Sequence, residues 1–191
     1  EPTSGDAVAS TEKPPMIVPR LAAMPTLGDR APSGALVTSL GEPHYRRSEP
    51  SWREAGEPTA EVALFAVAGE LVVEVRVRES ALLFAPRGAE NEMDNEHPDV
   101  NGDGVQLYVG AGADPAVSGW RVVPEWPAPR ARVSPIAGLD RGDAAPLAEW
   151  RPAGAGYLVR CVVPLGAAAG AALRLDVVVN ETAPGRERRR G

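Results

Sequence analysis

The most oxygen-rich segment of the chain, residues 90–104, reads E-N-E-M-D-N-E-H-P-D-V-N-G-D-G. Asp99, Asn101 and Asp103 place side-chain oxygens at alternate positions before a glycine, a spacing that lets a loop curl around calcium. An EF-hand is excluded, because its twelfth position must be glutamate and is Gly110 here, and a strand pattern follows instead of a helix. Two interpretations stay open: a structural calcium site, and an acidic surface loop without metal.

Tryptophans form a second candidate site. Sugars present apolar C–H faces that stack on aromatic rings, and their hydroxyl groups need planar polar partners. Trp120 and Trp126 flank Arg121 in a segment that becomes loop-like after residue 123, and Gln106 lies in a preceding strand pattern. We predict a concave sugar-binding surface formed by these four residues. The alternative is that both rings pack in the core or lie under the N-terminal arm, which would leave no sugar platform.

The sequence offers little for catalysis, and we predict no catalytic residues. The only histidines, His44 and His97, lie outside any HExxH pattern, and no G-x-S-x-G elbow is present. The net charge of −6 argues against a nucleic-acid-binding face, which needs a basic surface. The sequence contains no run of 18 apolar residues, so no transmembrane helix is predicted. The single cysteine, Cys161, cannot form an intrachain disulfide.

The elements that must position these residues are predicted to be strands. In Leu71–Arg78, valines alternate with charged residues, which is the period of a half-buried strand, and a turn at residues 68–70 pairs this strand with the one before it. Gly and Pro number 20 each, which indicates many turns and few long helices. Further strands are predicted at Ala35–Leu40, Gly104–Val109, Trp120–Val123, Ala131–Ser134, Leu147–Arg151, Tyr157–Val163 and Leu173–Val179.

This pattern predicts an all-β fold, an antiparallel β-sandwich with jelly-roll-like or immunoglobulin-like layering and an extended Pro-rich N-terminal arm. Residues 1–15 are expected to be a linker or extended arm, residues 16–58 an irregular segment packing on the sandwich, and residues 59–191 the sandwich itself. The side chains expected to be nearly fully buried in its core are Val73, Val75, Val77, Leu107, Val163, Leu175 and Val177.

Four stretches, in order, resemble the family-nine carbohydrate-binding modules. The hairpin Ala60–Glu79 is similar to the family's paired strands ending in V-x-V-x-D, and Gly102–Tyr108 is similar to its G-D-S-V-E-L-F. Gly156–Pro164 resembles its G-Y-x-x-E-x-x-I-P, and Leu175–Glu181, with arginines after it, resembles its D-V-x-V-N-D followed by R. Each motif is weak alone, and their order over residues 60–190 carries the resemblance.

The resemblance implies a secreted β-sandwich that clamps a sugar with loop tryptophans and holds calcium as a structural ion. This chain departs from the family pattern at four positions. Glu79 and Glu181 stand where the family tends to have Asp, while Gln106 and Arg160 stand where it tends to have Glu. The fold therefore carries over better than the ligand, because binding sites vary independently of folds.

Two functions follow as expectations. The first is a non-catalytic carbohydrate-binding module, extracellular or periplasmic, that tethers a partner domain or complex to a polysaccharide or other glycan. The alternative is a structural protein-interaction subunit of an envelope or membrane-associated complex, which would contact its partner through the N-terminal arm.

Overall fold

Strands dominate the structure. The computed structural model describes residues 15–46, 51–79, 81–91, 95–139 and 143–182. Within these residues the chain forms nine strands and three short 3-10 turns, without an α-helix, and every strand predicted from the sequence is present. The strands are β1 (Leu36–Leu40), β2 (Thr59–Val67), β3 (Glu70–Arg78), β4 (Gly104–Ala111), β5 (Ser118–Pro124), β6 (Ala131–Pro135), β7 (Leu147–Pro152), β8 (Gly156–Pro164) and β9 (Leu173–Asn180).

The strands form two antiparallel sheets that pack face to face, which confirms the β-sandwich. One sheet has five strands in the order β1-β2-β3-β8-β7, and the other has four in the order β6-β5-β4-β9. The predicted hairpin is β2–β3, with Val62 opposite Val75. Its two turn residues, Ala68 and Gly69, have φ angles of 50° and 85°. Positive φ at both positions gives the turn a twist that matches the right-handed twist of the strands.

The core lies between the two sheets and is rich in valine. Of the seven core residues predicted, Val73, Val75, Val77, Leu107 and Val163 are buried. The prediction was wrong for Leu175 and Val177, which pack against the core but remain partly exposed. Their strand, β9, lies at the edge of the four-stranded sheet, where no neighbouring strand covers its outer side.

The prediction that β3 is half-buried was also wrong, because the outer face of the five-stranded sheet is covered. Backbone carbonyls of residues 25–30 lie against arginines on that face. Arg76 donates to the carbonyls of Gly28 and Arg30 at 3.2 and 2.9 Å, and Arg160 donates to Pro25 at 2.8 Å. These contacts fix an irregular proline-containing segment that has few backbone hydrogen bonds of its own.

A buried ion network lies beneath this segment. Glu74 is completely buried and faces Arg160 on the neighbouring strand β8. Its carboxylate accepts hydrogen bonds from Arg160 at 2.5 Å and from Arg76 at 2.5 Å. Arg160 also reaches the more exposed Glu149 at 2.9 Å. Each buried charge therefore has an opposite charge as its partner, as burial requires.

Among the described residues, the structure contains no helix that is both long and apolar enough to cross a membrane.

Candidate functional site

Most of the predicted site residues, namely Trp126 and the three predicted calcium ligands, lie at one end of the sandwich. β3 and β9 end there, with Arg78 opposite Gly156 and Asn180 opposite Gly104. The β3–β4 connection and the β5–β6 loop therefore meet at this end. Residues that are far apart in sequence are neighbours here because antiparallel strands return to the same edge.

Trp126 lies on the β5–β6 loop, and its side chain is 69% exposed. Its ring rests beside the buried ring of Trp150, with centroids 5.7 Å apart. Trp150 anchors the same loop, because its indole N–H donates to the carbonyl of Ala128 at 2.6 Å and its backbone N–H donates to Pro129 at 2.9 Å. The two hydrogen bonds from Trp150 hold the loop in place, and the loop exposes the indole of Trp126 to solvent.

Charged groups surround Glu125, the residue that precedes Trp126. Glu125 accepts hydrogen bonds from Arg87 at 2.9 Å and from Arg132 at 3.0 Å. Burial tends to raise the pKa of the Glu125 carboxyl, but the hydrogen bonds and charges of the two arginines outweigh it and hold this pKa below its usual range. Glu125 is therefore an ionised acceptor, and the largely exposed Arg87 is a donor beside it.

The four predicted sugar-binding residues do not converge on one surface. Trp120 is only 4% exposed and packs in the core, so the prediction of an exposed ring at this position was wrong. Successive side chains of a strand point to opposite faces, so Arg121 lies on the outer face of the four-stranded sheet. Gln106 is its direct cross-strand neighbour on that face. Trp126 lies apart from both, at the end of the sandwich.

The predicted calcium residues also have different partners. Asp99 is buried, and its carboxylate accepts hydrogen bonds from Arg132 at 2.6 Å and from Ser134 at 3.2 Å. Asp103 instead accepts hydrogen bonds from the backbone N–H groups of Leu83 and Thr182, the second at 3.0 Å. Asn101 lies between them in a 3-10 turn. The charge of Asp99 is thus already compensated by arginine, which makes it a poor cation ligand.

Asp103 belongs to a carboxylate cluster that the sequence reasoning missed. Its neighbours are Glu79, just beyond β3, and Glu181, just beyond β9. Burial, followed by the charges of Asp103 and Glu181, raises the pKa of Glu79 to about 9. Burial and Asp103 raise the pKa of Glu181 to about 7. The signal was present in the resemblance, since Glu79 and Glu181 are two of the four positions that depart from the family pattern.

The cluster is lined by buried polar atoms. Both carboxyl oxygens of Glu79 are buried, and the Asp103 carboxyl lies beside them. The buried Tyr157 side chain lies beside the cluster, and burial, together with the charges of Glu79, Asp103 and Glu181, raises the pKa of its hydroxyl well above the usual value. In the described part of the chain, no three Asp, Glu, His or Cys side chains are already grouped as metal ligands.

The backbone beside Tyr157 requires glycine. Gly156 has a φ of 144°, and a Cβ added to it would lie 1.9 Å from the carbonyl oxygen of Val77. This close approach of β8 to the end of β3 brings Tyr157 under the cluster, and it gives a physical reason for the Gly-Tyr pair in the third motif.

In buffer containing a metal chelator, the free energy of unfolding is expected to fall as pH rises from about 4.5 to about 9. Glu79 and Glu181 have higher pKa values in the folded state than in the unfolded chain, so the folded state binds more protons across this window. Their contribution is complete below the unfolded pKa and is lost as pH passes through the folded values. Urea titrations at several pH values measure this. Glu79→Gln should flatten the decline, and an unchanged slope in that variant would contradict the assignment.

Comparison with known proteins places the fold. No protein-family model matches the chain, and no curated protein matches it. A family 9 carbohydrate-binding module from Caldicellulosiruptor kristjanssonii, solved in complex with cellotriose, matches with a TM-score of 0.57 and 14% identity, over 89% of this chain and 79% of that one. One from the same organism, solved in complex with glucose, gives 0.57 and 15% identity, over 90% and 81%. These matches confirm the resemblance predicted from the four motifs: the chain has the fold of the family 9 carbohydrate-binding modules.

Proposed function

We propose that this protein is a non-catalytic carbohydrate-binding module whose main sugar contact is Trp126. The observation that carries the proposal is the exposed indole of Trp126, held on a loop that Trp150 anchors from below. Such a ring offers a rigid apolar surface, and little conformational entropy is lost when a ligand covers it.

The groups around the ring suit a sugar. A pyranose stacked on Trp126 would bring hydroxyl groups toward Glu125, the preceding residue, which could accept hydrogen bonds, and toward its ion-pair partner Arg87, which could donate them. Arg132 holds Glu125 in place, since it also binds the carbonyl of Ala85 at 3.1 Å and the carboxylate of Asp99. An apolar contact with a few fixed polar groups is the usual composition of small-ligand sites. The cellotriose and glucose bound by the two structural relatives favour glucose-containing glycans as the first ligands to test.

Replacing Trp126 by Ala is expected to weaken glycan binding at least about tenfold, because the stacking surface is lost, while the melting temperature changes little. Calorimetric titration with cellotriose and cellohexaose, together with retention on insoluble cellulose, measures binding. Trp52→Ala is the matched control, since Trp52 lies on another connection, where its indole donates to Pro58. Unchanged binding in Trp126→Ala would contradict the assignment of Trp126 as the sugar contact. A wild-type protein that binds none of these glycans would contradict the proposed function.

The setting follows from the proposed ligand. We expect an extracellular or periplasmic module that brings a partner domain or complex to a polysaccharide. The alternative, a protein-interaction subunit, requires an N-terminal arm that is free to wrap a partner. Residues 25–30, in the irregular segment that follows the arm, bind the chain's own sheet through Arg76 and Arg160, so residues 1–15 are the segment to delete in a test of assembly.

A structural calcium ion is a second part of the proposal, at Glu79, Asp103 and Glu181 instead of Asp99 and Asn101. The observation that favours it is the pair of buried Glu79 oxygens beside the carboxyls of Asp103 and Glu181. Calcium prefers oxygen ligands of this kind, and it would compete with protons for the carboxyls of Glu79 and Glu181. Bound there, it would join the ends of β3 and β9 to the start of β4.

Calcium at millimolar concentration is expected to raise the melting temperature relative to chelator, because it binds the folded state alone. The rise should be larger at pH 8 than at pH 5, since protons compete for the same carboxyls. Differential scanning calorimetry measures both. Glu79→Gln should remove the effect, whereas Asp99→Asn, at the position first predicted, should leave the calcium-dependent rise in place. Equal melting temperatures with calcium and with chelator at both pH values would rule the ion out.

A further inference from the structure

The outer face of the four-stranded sheet is a surface that the proposed Trp126 site does not use. Strands β4 and β9 place alternating side chains there, with Gln106 opposite Val178 and Tyr108 opposite Asp176. These side chains are partly or largely exposed. The outer face of the five-stranded sheet differs, because residues 25–30 are bound across it.

A shallow, open groove of about 390 Å³ lies on this face. Its lining includes Tyr108, Leu139, Val178 and Asp176. Gly119 forms part of the sheet beneath it, since a Cβ there would come within 3.0 Å of Leu139 and 3.3 Å of Tyr108. The missing side chain lets Leu139 approach the Tyr108 ring, so the groove has an aromatic floor and an aliphatic wall.

A row of hydrogen-bonded polar groups continues from this floor. The Tyr108 hydroxyl donates to the Gln106 amide oxygen at 2.6 Å, and the Gln106 amide nitrogen donates to Asn180 at 2.9 Å. Arg121, the cross-strand neighbour of Gln106, is fixed by the carbonyl of Pro135 at 2.6 Å. These orientations are set before any ligand arrives, which lowers the entropy lost on binding.

The charges on this face favour a neutral ligand. Arg121 lies 3.9 Å from Asp99, and Arg174 is bound to the carbonyls of Asp114 and Ala116, the second at 3.3 Å. Arg132 lies on the same face, opposite Val123, and binds both Asp99 and Glu125. The three arginines are therefore balanced by the carboxylates of Asp99, Glu125 and Asp176. A ligand with many hydroxyl groups can donate to Asp176 and accept from amide and guanidinium groups, whereas a ligand of one charge sign gains no net attraction.

We infer that this outer face is a second glycan-binding surface, centred on Tyr108, which binds neutral hexose units of the polysaccharide that Trp126 contacts. Tyr108 supplies the stacking ring, while Gln106, Arg121 and Asp176 supply hydrogen bonds to hydroxyl groups. The inference rests on the proposed function, and it makes the domain bivalent. Two weak contacts on one long chain bind more tightly than either alone, because the second contact becomes intramolecular.

Amide chemical shifts of the labelled wild-type protein, titrated with cellotriose and then with cellohexaose, test the inference. We expect shifts at Gln106, Tyr108 and Val178 as well as in the β5–β6 loop. The shifts on β4 and β9 should persist in Trp126→Ala. In Tyr108→Ala they should require about tenfold more sugar, while the loop shifts remain. Tyr108→Phe should lose less affinity, because it keeps the ring. Tyr45→Ala is the matched control, since Tyr45 follows the 3-10 turn at Glu42–His44 and lies outside β4 and β9.

The outcomes separate this inference from the proposed function. Shifts confined to the β5–β6 loop, or a Tyr108→Ala variant that titrates like wild type, would overturn the second surface and leave the Trp126 site standing. Shifts confined to β4 and β9 would support the second surface and remove the Trp126 site. A protein whose amides do not move with either sugar would overturn both.

Discussion

Replacing Leu107 by Asp is expected to abolish soluble folding. Leu107 lies at the middle of β4, is completely buried, and packs between the two sheets. The side chains around this position are almost all apolar. Burying a carboxylate there without a cationic partner costs more than a domain's whole stability of about 5–15 kcal/mol. The protein should appear in the insoluble fraction on expression, and any refolded material should lack a cooperative thermal transition.

The matched control for this substitution is Val178→Asp, which introduces the same charge on the adjacent strand. Val178 lies on the outer face of β9 and is 37% exposed, so the carboxylate stays in contact with water. We expect a soluble, folded protein whose free energy of unfolding is within about 1 kcal/mol of wild type. Two insoluble variants would indicate that the four-stranded sheet is covered on its outer face, and two soluble variants would contradict the placement of the core.

Replacing Glu74 by Ala is expected to lower the free energy of unfolding by about 3–5 kcal/mol. The change removes the carboxylate that compensates the buried guanidinium groups of Arg76 and Arg160. Both arginines would then remain buried without their main anionic partner. They also hold the carbonyls of residues 25–30, so that segment should become more accessible to proteases. Chemical denaturation measures the first effect and limited proteolysis the second.

Glu149→Ala provides the control for the ion network, because Glu149 contacts the same Arg160 but its side chain is 54% exposed. Solvent-exposed ion pairs contribute little, so the loss should be below about 1 kcal/mol. Similar losses in both variants would show that burial does not govern this network. The Glu74–Arg160 pair also gives a physical account of one departure from the family pattern. Arg160 lies opposite Glu74 across β3 and β8, where an acid would face another acid.

Most of the fold could be predicted from the sequence, because its signals are local. Alternating valines and charged residues in Leu71–Arg78 indicate a strand whatever lies around them, and the positive-φ turn before them closes a hairpin. The four motifs, taken in order, predicted the family fold at an identity of only 14–15% to its solved members. Burial of a side chain depends on whether its strand lies at the edge of a sheet, which local sequence does not show. The burial of Leu175 and Val177 was therefore overestimated.

The candidate site was predicted less well, since a site depends on which face each side chain takes and on which chain ends meet. Trp120 and Trp126 are close in sequence, yet strand alternation places one ring in the core and loop anchoring by Trp150 exposes the other. Asp99 and Asp103 are even closer in sequence, yet Asp99 accepts a hydrogen bond from Arg132 whereas Asp103 accepts one from the backbone N–H of Thr182. Spacing along a chain fixes geometry only within a single element.

By itself, the sequence determined that this protein is an all-β sandwich, since hydrophobic periodicity and turn residues act over a few neighbouring positions. Only the tertiary structure decided that Glu79 and Glu181 join Asp103 in one cluster, and that Tyr108 and Gln106 share an open face with Arg121. Such groupings arise where antiparallel strands from distant parts of the chain end at one edge or lie side by side. Their chemistry depends on burial and on nearby charges, and both are properties of the packed sandwich.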